Sequence, residues 1–135
     1  MADNKTVHLA DDDEDDRQLM KEAFEEANPE VKVVESENGR ELIDSMKNSD
    51  DLSESVVVVD MNMPTMNGLE AVAAIKADPE LAAVPTVMLT TSDNPDLIRK
   101  AKEAGVDDFV TKPNSFRGLI DIAKRILTRF FSKLS

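Results

Sequence analysis

Four consecutive valines at positions 56–59 constrain the fold of this chain more than any other feature. β-branched residues favour strands, and an unbroken apolar run of this length is typical of a strand that is covered on both faces. Asp60 follows the run, so a carboxylate stands at the carboxyl end of the strand. Strands of this kind belong mainly to parallel sheets with helices on either side. The run therefore predicts the central strand of an α/β protein.

Helical and strand patterns alternate along the rest of the chain. Apolar residues at three- and four-residue steps, with Asn, Ser or acidic residues before them, predict helices over about 15–27, from Asn38, from Asn67, over 94–105 and from Ser115. Short apolar runs predict further strands at 7–10, 31–34, 85–89 and 108–111. A strand followed by a helix thus occurs five times. This order implies a doubly wound, five-stranded parallel sheet.

Length and composition indicate one domain and exclude several kinds of site. With 135 residues, we expect a single domain over 1–135 with a core of about 6–130. The chain has no Cys and one His, which excludes disulfides, thiolate metal sites and multi-His zinc sites. No stretch approaches the ~20 apolar residues of a membrane span, and the N-terminus lacks the layout of a secretory signal. We expect a cytoplasmic protein with no stable membrane insertion.

The acidic charge is concentrated in the first half of the chain. Residues 1–60 carry 19 acidic and 6 basic side chains, whereas residues 61–135 carry 9 and 10. Contact with nucleic-acid phosphates requires clustered Lys and Arg, so direct nucleic-acid binding is not expected. The same excess of carboxylates is compatible with a divalent cation.

Polar side chains follow four of the five predicted strands. They are Asp11, Asp12 and Asp13 after the first strand, Asp60 after the third, Thr90 and Thr91 after the fourth, and Lys112 after the fifth. Ligands of an open doubly wound sheet bind outside the carboxyl ends of its strands, so we expect these groups to converge. Two carboxylates ~4 Å apart repel by about 4 kcal/mol at an effective dielectric of ~20. Mg²⁺ offsets such repulsion with few protein ligands, and a carboxylate beside it can attack a phosphoryl group.

Five motifs occur in one register. They are Leu9-Ala10-Asp11-Asp12-Asp13 with Arg17, Val59-Asp60-Met61-Asn62-Met63-Pro64-Thr65-Met66-Asn67-Gly68, Met88-Leu89-Thr90-Thr91, Ala104-Gly105-Val106-Asp107-Asp108-Phe109, and Lys112-Pro113. In this order and spacing the chain resembles the receiver domain of two-component response regulators, of the single-domain chemotaxis-receiver type. The resemblance implies a flavodoxin-like (βα)5 fold with strand order 2-1-3-4-5.

The resemblance also implies a phosphoacceptor and a metal site. Asp60 corresponds to the phosphoacceptor of the family. Asp11, Asp12 and Asp60 correspond to the carboxylates that bind Mg²⁺ or Mn²⁺, and Asn62 would add its backbone carbonyl. The implied phosphoryl donor is a sensor histidine kinase or a phosphotransfer protein.

Three further residues match the switch of the family. Thr90 corresponds to the switch hydroxyl, Lys112 to the ammonium that binds the phosphoryl group, and Phe109 to the aromatic residue that rotates. Phosphorylation is expected to draw Thr90 inward and to change the surface of helix 4, strand 5 and helix 5. A downstream protein or a second copy of the chain would bind there. Thr91 and Asn114 depart from the common pattern, which has a small residue and Phe at these positions.

A Mg²⁺-dependent aspartyl-phosphate phosphatase is the alternative function. It shares the Asp nucleophile, the Thr and the Lys, but it normally needs a second Asp two residues after the nucleophile as general acid. Asn62 occupies that position here. We therefore expect a phosphoacceptor that assists its own phosphorylation and dephosphorylation, not a turnover enzyme.

Other features have more than one interpretation. The acids at 14–16 are expected to be a solvated helix N-terminus; a calcium loop is disfavoured because Asp16 stands where that loop needs Gly. His8 is expected to be a packed or edge residue and not a phosphorelay site. Residues 116–135 carry five basic side chains and one acidic one. This last helix is expected to pack on the core with a solvated face, with a protein contact through Phe131 and Leu134, or a membrane surface, as alternatives.

Overall fold

The computed structural model describes residues 5–49, 52–61, 63, 66–91 and 94–131, and within them strands and helices alternate as predicted. The strands are β1 (Thr6–Ala10), β2 (Lys32–Ser36), β3 (Ser55–Asp60), β4 (Thr86–Thr90) and β5 (Asp108–Thr111). The helices are α1 (Glu14–Ala27), α2 (Gly39–Lys47), α3 (Gly68–Ala77), α4 (Pro95–Ala104) and α5 (Phe116–Phe130). Asn38, Asn67, Asn94 and Ser115 cap helices α2 to α5 with their side chains.

The strands form a parallel sheet in the order β2-β1-β3-β4-β5, which confirms the predicted fold class and strand order. The register places Ala10 opposite Val59, and it places Asp60 opposite Leu89. Thr90, the last residue of β4, lies opposite Thr111. Because all strands run the same way, their carboxyl ends meet at one edge of the sheet.

Two hydrophobic layers cover the two faces of the sheet. Val56 and Val58 pack into the layer formed with α1 and α5, and Val57 and Val59 pack into the layer formed with α2 and α3. Every residue of β3 is buried. Alternate side chains of a strand point to opposite faces, so a strand that serves two layers needs an apolar residue at each position. This is why the four valines predict the centre of the fold.

The helices differ in how much of each is buried. Helix α4 buries Ala101 alone among its ten residues, all of which the structure describes. Helices α2 and α3 each bury four residues over similar lengths. Gly105 ends α4 with a positive φ of 104°, a conformation that glycine adopts without strain.

Strand β2 extends further than the apolar pattern indicates. The apolar pattern predicts a strand over 31–34, whereas the strand is Lys32–Ser36. It pairs with β1 residue by residue, ending with Ala10 opposite Ser36. The hydrogen-bonded ladder, and not side-chain hydropathy, therefore sets its end. The exposed Glu35 is held by ion pairs to Arg17 and Lys21.

Helix α5 is a core-packing helix. Ala123, Ile126 and Leu127 are buried, and the helix packs against α1. Phe131 is buried in the same layer, so it does not support the alternative of a protein contact at this end. Leu134 lies outside the described residues. None of the helices in the described part of the chain is long and apolar enough to cross a membrane.

His8 is a packed residue, as expected. It lies in β1 between Val34 and Val57 of the neighbouring strands and is 1% exposed. Neither ring nitrogen has a hydrogen-bond partner among the described residues. Burial, and to a lesser degree the positive charge of Lys32, lowers the pKa of His8 from 6.5 to about 4.

Candidate functional site

Acidic and basic side chains meet at the carboxyl edge of the sheet. Asp11 follows β1, Asp60 is the last residue of β3, Thr90 is the last residue of β4, and Lys112 follows β5. This is the edge at which open α/β sheets bind ligands. The structure thus brings together groups that are up to 101 positions apart in the sequence.

Lys112 lies at the centre of this group. Its Nζ is 3.1 Å from Asp60 Oδ1 and 3.2 Å from Asp11 Oδ2. Its side chain is 16% exposed, so these ion pairs are largely shielded from solvent. The backbone N–H of Lys112 donates to the carbonyl oxygen of Thr90 at 2.7 Å, which fixes the loop after β5 against the end of β4.

Asp11, Asp12 and Asp60 form the acidic part of the site. Each offers a carboxylate oxygen, and these oxygens lie within 4.8 Å of one another. Asp11 and Asp60 are buried, whereas Asp12 is exposed. The donor set consists of hard oxygen ligands with an open side, and it fits a divalent cation.

Burial is the main cause of the raised pKa values of the two acids in this pocket, and neighbouring charges modify it. Burial raises the pKa of Asp60 above its usual value; the Lys112 ammonium opposes this, and the charge of Asp11 adds to it. Burial also raises the pKa of Asp11, against a hydrogen bond from the backbone N–H of Asp13 and the charge of Lys112. Burial alone would lower the pKa of Lys112, but the carboxylates of Asp60 and Asp11 outweigh it and raise that pKa. A divalent cation would relieve the remaining repulsion.

Backbone contacts hold Asp11 and the first turn of α1. Asp11 Oδ1 accepts from the N–H of Asp13 at 2.9 Å, and the carbonyl oxygen of Asp11 accepts from Arg17 Nη1 at 2.7 Å. The Nε of Arg17 donates to Glu35 Oε1 at 3.0 Å, which ties α1 to β2. The side chain of Asp13 caps the helix by accepting from the N–H groups of residues 15 and 16.

Gly68 allows α3 to begin beside the phosphoacceptor candidate. A Cβ atom at position 68 would lie 2.6 Å from the carbonyl oxygen of Asp60, closer than such atoms approach. The N–H of Gly68 donates to the carbonyl oxygen of Met61 at 2.9 Å. Asn67 and Glu70 close the helix start as a capping box. A residue without a side chain is therefore required where β3 and α3 come together.

The remaining predicted site residues are placed as follows. Thr90 is 1% exposed at the end of β4. Phe109 is half-buried in β5 and packs against the layer that contains Leu97 of α4. Thr91 is exposed. Asn62, predicted to offer its backbone carbonyl, lies outside the described residues.

Asp16 was not predicted as part of the site. Its Oδ2 lies 3.6 Å from Lys112 Nζ, although the sequence indicates a solvated acid in the first turn of a helix. Asp16, Lys112, Leu19 and Phe116 also line a cavity of about 180 Å³ between α1 and the start of α5. No local signal in the sequence separates Asp16 from Glu14 and Asp15, the other acids in the first turn of α1.

Comparisons with known proteins agree on one family. The model of the response regulator receiver domain matches residues 7–124. The chain is 34% identical over 125 residues to the chemotaxis protein CheY of Halobacterium salinarum, which covers 92% of this chain and 98% of that protein. It is 36% identical over 81 residues to the CheY homologue of Campylobacter jejuni, covering 60% and 61% of the two chains. That alignment thus spans less than two thirds of the relative.

Solved structures give the same result. The crystal structure of the phosphorylated cyanobacterial phytochrome response regulator RcpA superimposes with a TM-score of 0.84 at 28% identity, over 98% of both chains. The chemotaxis protein CheY4 of Vibrio cholerae superimposes with a TM-score of 0.78 at 26% identity, over 93% of this chain and 100% of that one.

Proposed function

This chain belongs to the response regulator receiver family, and we propose that it accepts a phosphoryl group on Asp60 and thereby changes a protein-interaction surface. The observation that carries this proposal is the position of Lys112, whose Nζ lies 3.1 Å from Asp60 and 3.2 Å from Asp11. A buried ammonium beside a carboxylate at this edge of the sheet suits the binding of a phosphoryl group on that carboxylate.

Phosphoryl transfer requires a positioned nucleophile and stabilisation of negative charge. An oxygen of Asp60 attacks the phosphorus atom while the bond to the donor's leaving atom breaks. That atom is an imidazole nitrogen of phosphohistidine, or an acyl oxygen of acetyl phosphate, and it keeps the electron pair. The Lys112 ammonium then donates to a phosphoryl oxygen and need move little, because it already contacts Asp60.

The ligands for a divalent cation in this proposal are Asp11, Asp12 and Asp60, with the backbone carbonyl of Asn62. Mg²⁺ is the ion we propose, with Mn²⁺ as a substitute of similar chemistry. When bound, the ion would supply positive charge between the carboxylates and the phosphoryl oxygens. The closeness of the three carboxylates supports this ligand set.

Thr90 and Phe109 are the proposed switch. The hydroxyl of Thr90 would move toward the phosphoryl group, and Phe109 would fill the space that it leaves. Phe109 packs in the same layer as Leu97 of α4, so its movement would change how α4 lies on the sheet. The surface of α4, β5 and α5 would then have two arrangements, biased by one modification.

The phosphoryl donor we propose is a sensor histidine kinase or a phosphotransfer protein in the cytoplasm. The output would be a downstream protein, or a second copy of the chain, bound to the surface of α4, β5 and α5. Direct nucleic-acid binding is not part of this proposal, because the chain carries a net charge of −12. Stable membrane insertion is not part of it either.

A phosphatase function is not favoured. The family match is to a regulatory receiver domain. Asn62 stands where the phosphatase would need a second Asp as general acid. We therefore propose a phosphorylated switch that assists its own phosphorylation and dephosphorylation, and not a turnover enzyme.

Labelling with acetyl phosphate tests the proposed acceptor. Wild-type protein in Mg²⁺ should gain the mass of one phosphoryl group, and Asp60→Asn should not. Asp44→Asn, which neutralises an exposed acid of α2, is the matched control and should be labelled normally. Labelling of the Asp60→Asn protein at the wild-type level would show that another residue is the acceptor.

A further inference from the structure

Three carboxylates surround the ammonium of Lys112. Asp60 and Asp11 lie at 3.1 and 3.2 Å, and the third, Asp16, lies at 3.6 Å on the α1 side. The side chain of Asp16 is 53% exposed, whereas that of Asp11 is 5% exposed. Asp16 is thus the outermost of the three carboxylates.

The three carboxylates differ in their relation to the metal cluster. Asp11 and Asp60 belong to it together with Asp12, and Asp16 does not. A divalent cation would therefore bind two of the three carboxylates that pair with Lys112, namely Asp11 and Asp60. It would also repel the ammonium, since both are positively charged. Asp16 is the carboxylate that Lys112 would not share with the cation.

We propose that Asp16 is a positioning residue, which retains the Lys112 ammonium in the pocket when a divalent cation binds Asp11, Asp12 and Asp60. This inference rests on the proposed function, because it presumes that the acidic cluster binds the cation. In the cation-bound protein the Asp16–Lys112 pair strengthens, so Asp16 favours cation binding through Lys112. Without Asp16, the ammonium and the cation compete for Asp11 and Asp60 alone.

Asp15 provides a matched control for Asp16. Both are exposed acids in the first turn of α1, and the backbone N–H of each donates to Asp13 Oδ1. The side chain of Asp15 makes no ion pair within the described residues. Replacing either acid by Asn removes one charge and leaves the helix cap in place. Only the replacement of Asp16 removes a partner of Lys112.

Titration of MgCl₂ by isothermal calorimetry tests the proposal through a double-mutant cycle. Asp16→Asn should raise the Kd for Mg²⁺ by about two- to fivefold, the range of a partly exposed ion pair. Asp15→Asn should raise it less, and Asp16→Glu should restore it. In a Lys112→Met background, Asp16→Asn should change the Kd no more than Asp15→Asn does.

Each other outcome has a definite meaning. Equal Kd values for Asp16→Asn and Asp15→Asn would overturn the proposal. So would an Asp16→Asn effect that persists unchanged in the Lys112→Met background, because the effect would then be one of overall charge. Failure of the wild-type protein to bind Mg²⁺ would overturn the proposed function and this inference together, and the calorimetry separates that case from the other two.

Discussion

We expect acid to destabilise this protein through His8. The imidazole is 1% exposed, and its ring nitrogens have no hydrogen-bond partner among the described residues. A proton added to it would create a buried, unpaired charge, which is costly. Burial therefore lowers the pKa of His8 from 6.5 to about 4, with Lys32 adding to the effect.

The sign follows from which state binds the proton first. Below pH 6.5 the unfolded chain takes up a proton on His8, and the folded protein does so only near its lowered pKa of about 4. The free energy of unfolding therefore falls as the pH drops through this window. At about 1.4 kcal/mol for each pH unit between the two values, the complete loss is about 3 kcal/mol.

Other groups act in the opposite direction over part of the same range. Burial raises the pKa values of Asp11 and Asp60, so the folded protein binds these protons before the unfolded chain does. Their protonation stabilises the fold as the pH falls. The contribution of His8 must therefore be measured as a difference between two proteins.

His8→Val is the variant that isolates this contribution. Valine suits a strand position between Val34 and Val57, and it buries no nitrogen. Urea denaturation followed by circular dichroism, without divalent cations, would give the free energy of unfolding of both proteins from pH 7 to pH 4. The wild type should lose about 3 kcal/mol relative to the variant as the pH falls.

The test is how the difference in the free energy of unfolding between the wild type and His8→Val changes with pH. A difference between the two proteins that stays constant across this pH range would refute the reasoning, because it would mean that His8 titrates alike in both states. A stability of the wild type relative to the variant that decreases as the pH rises would refute it too, since it would require a raised pKa of His8 in the folded protein.

Two further predictions concern the site. Mg²⁺ at 100 times its Kd should stabilise the wild type by about 2.7 kcal/mol. Asp12→Asn should reduce the rise in melting temperature that the same Mg²⁺ concentration produces, and an unchanged rise would exclude Asp12 as a ligand. Gly68→Ala should cost about 1–3 kcal/mol in urea denaturation, because its Cβ would lie 2.6 Å from the carbonyl oxygen of Asp60; a variant of wild-type stability would contradict the close approach.

The strand order was implied by the resemblance to the receiver family, whereas the meeting of the site residues follows from local signals in the sequence. In a parallel sheet the carboxyl ends of all strands lie at the same edge. A residue such as Asp60 or Lys112 can therefore be assigned to that edge once its strand is recognised. The four valines identified the central strand, and Asn and Ser identified the helix starts. These signals depend on short stretches of chain and are therefore readable without coordinates.

Asp16 and the end of β2 could not be predicted in this way. The contact of Asp16 with Lys112 depends on how the first turn of α1 lies against the loop after β5, which is a matter of tertiary packing. Strand β2 continues through Glu35 and Ser36 because β1 pairs with them, although neither residue favours a strand. Burial of Phe131 likewise depends on α5 docking against α1.

The small buried surface of α4 has a consequence for which part of this fold can move. Hydrophobic anchorage scales with the apolar surface removed from water, and α4 places one small side chain, Ala101, fully inside. Rotating or sliding α4 would therefore expose less buried apolar surface than moving a neighbouring helix. Because α4 buries the fewest residues of the five helices, we expect it to move most easily, whereas we expect β3, which is buried along its whole length, to stay in place.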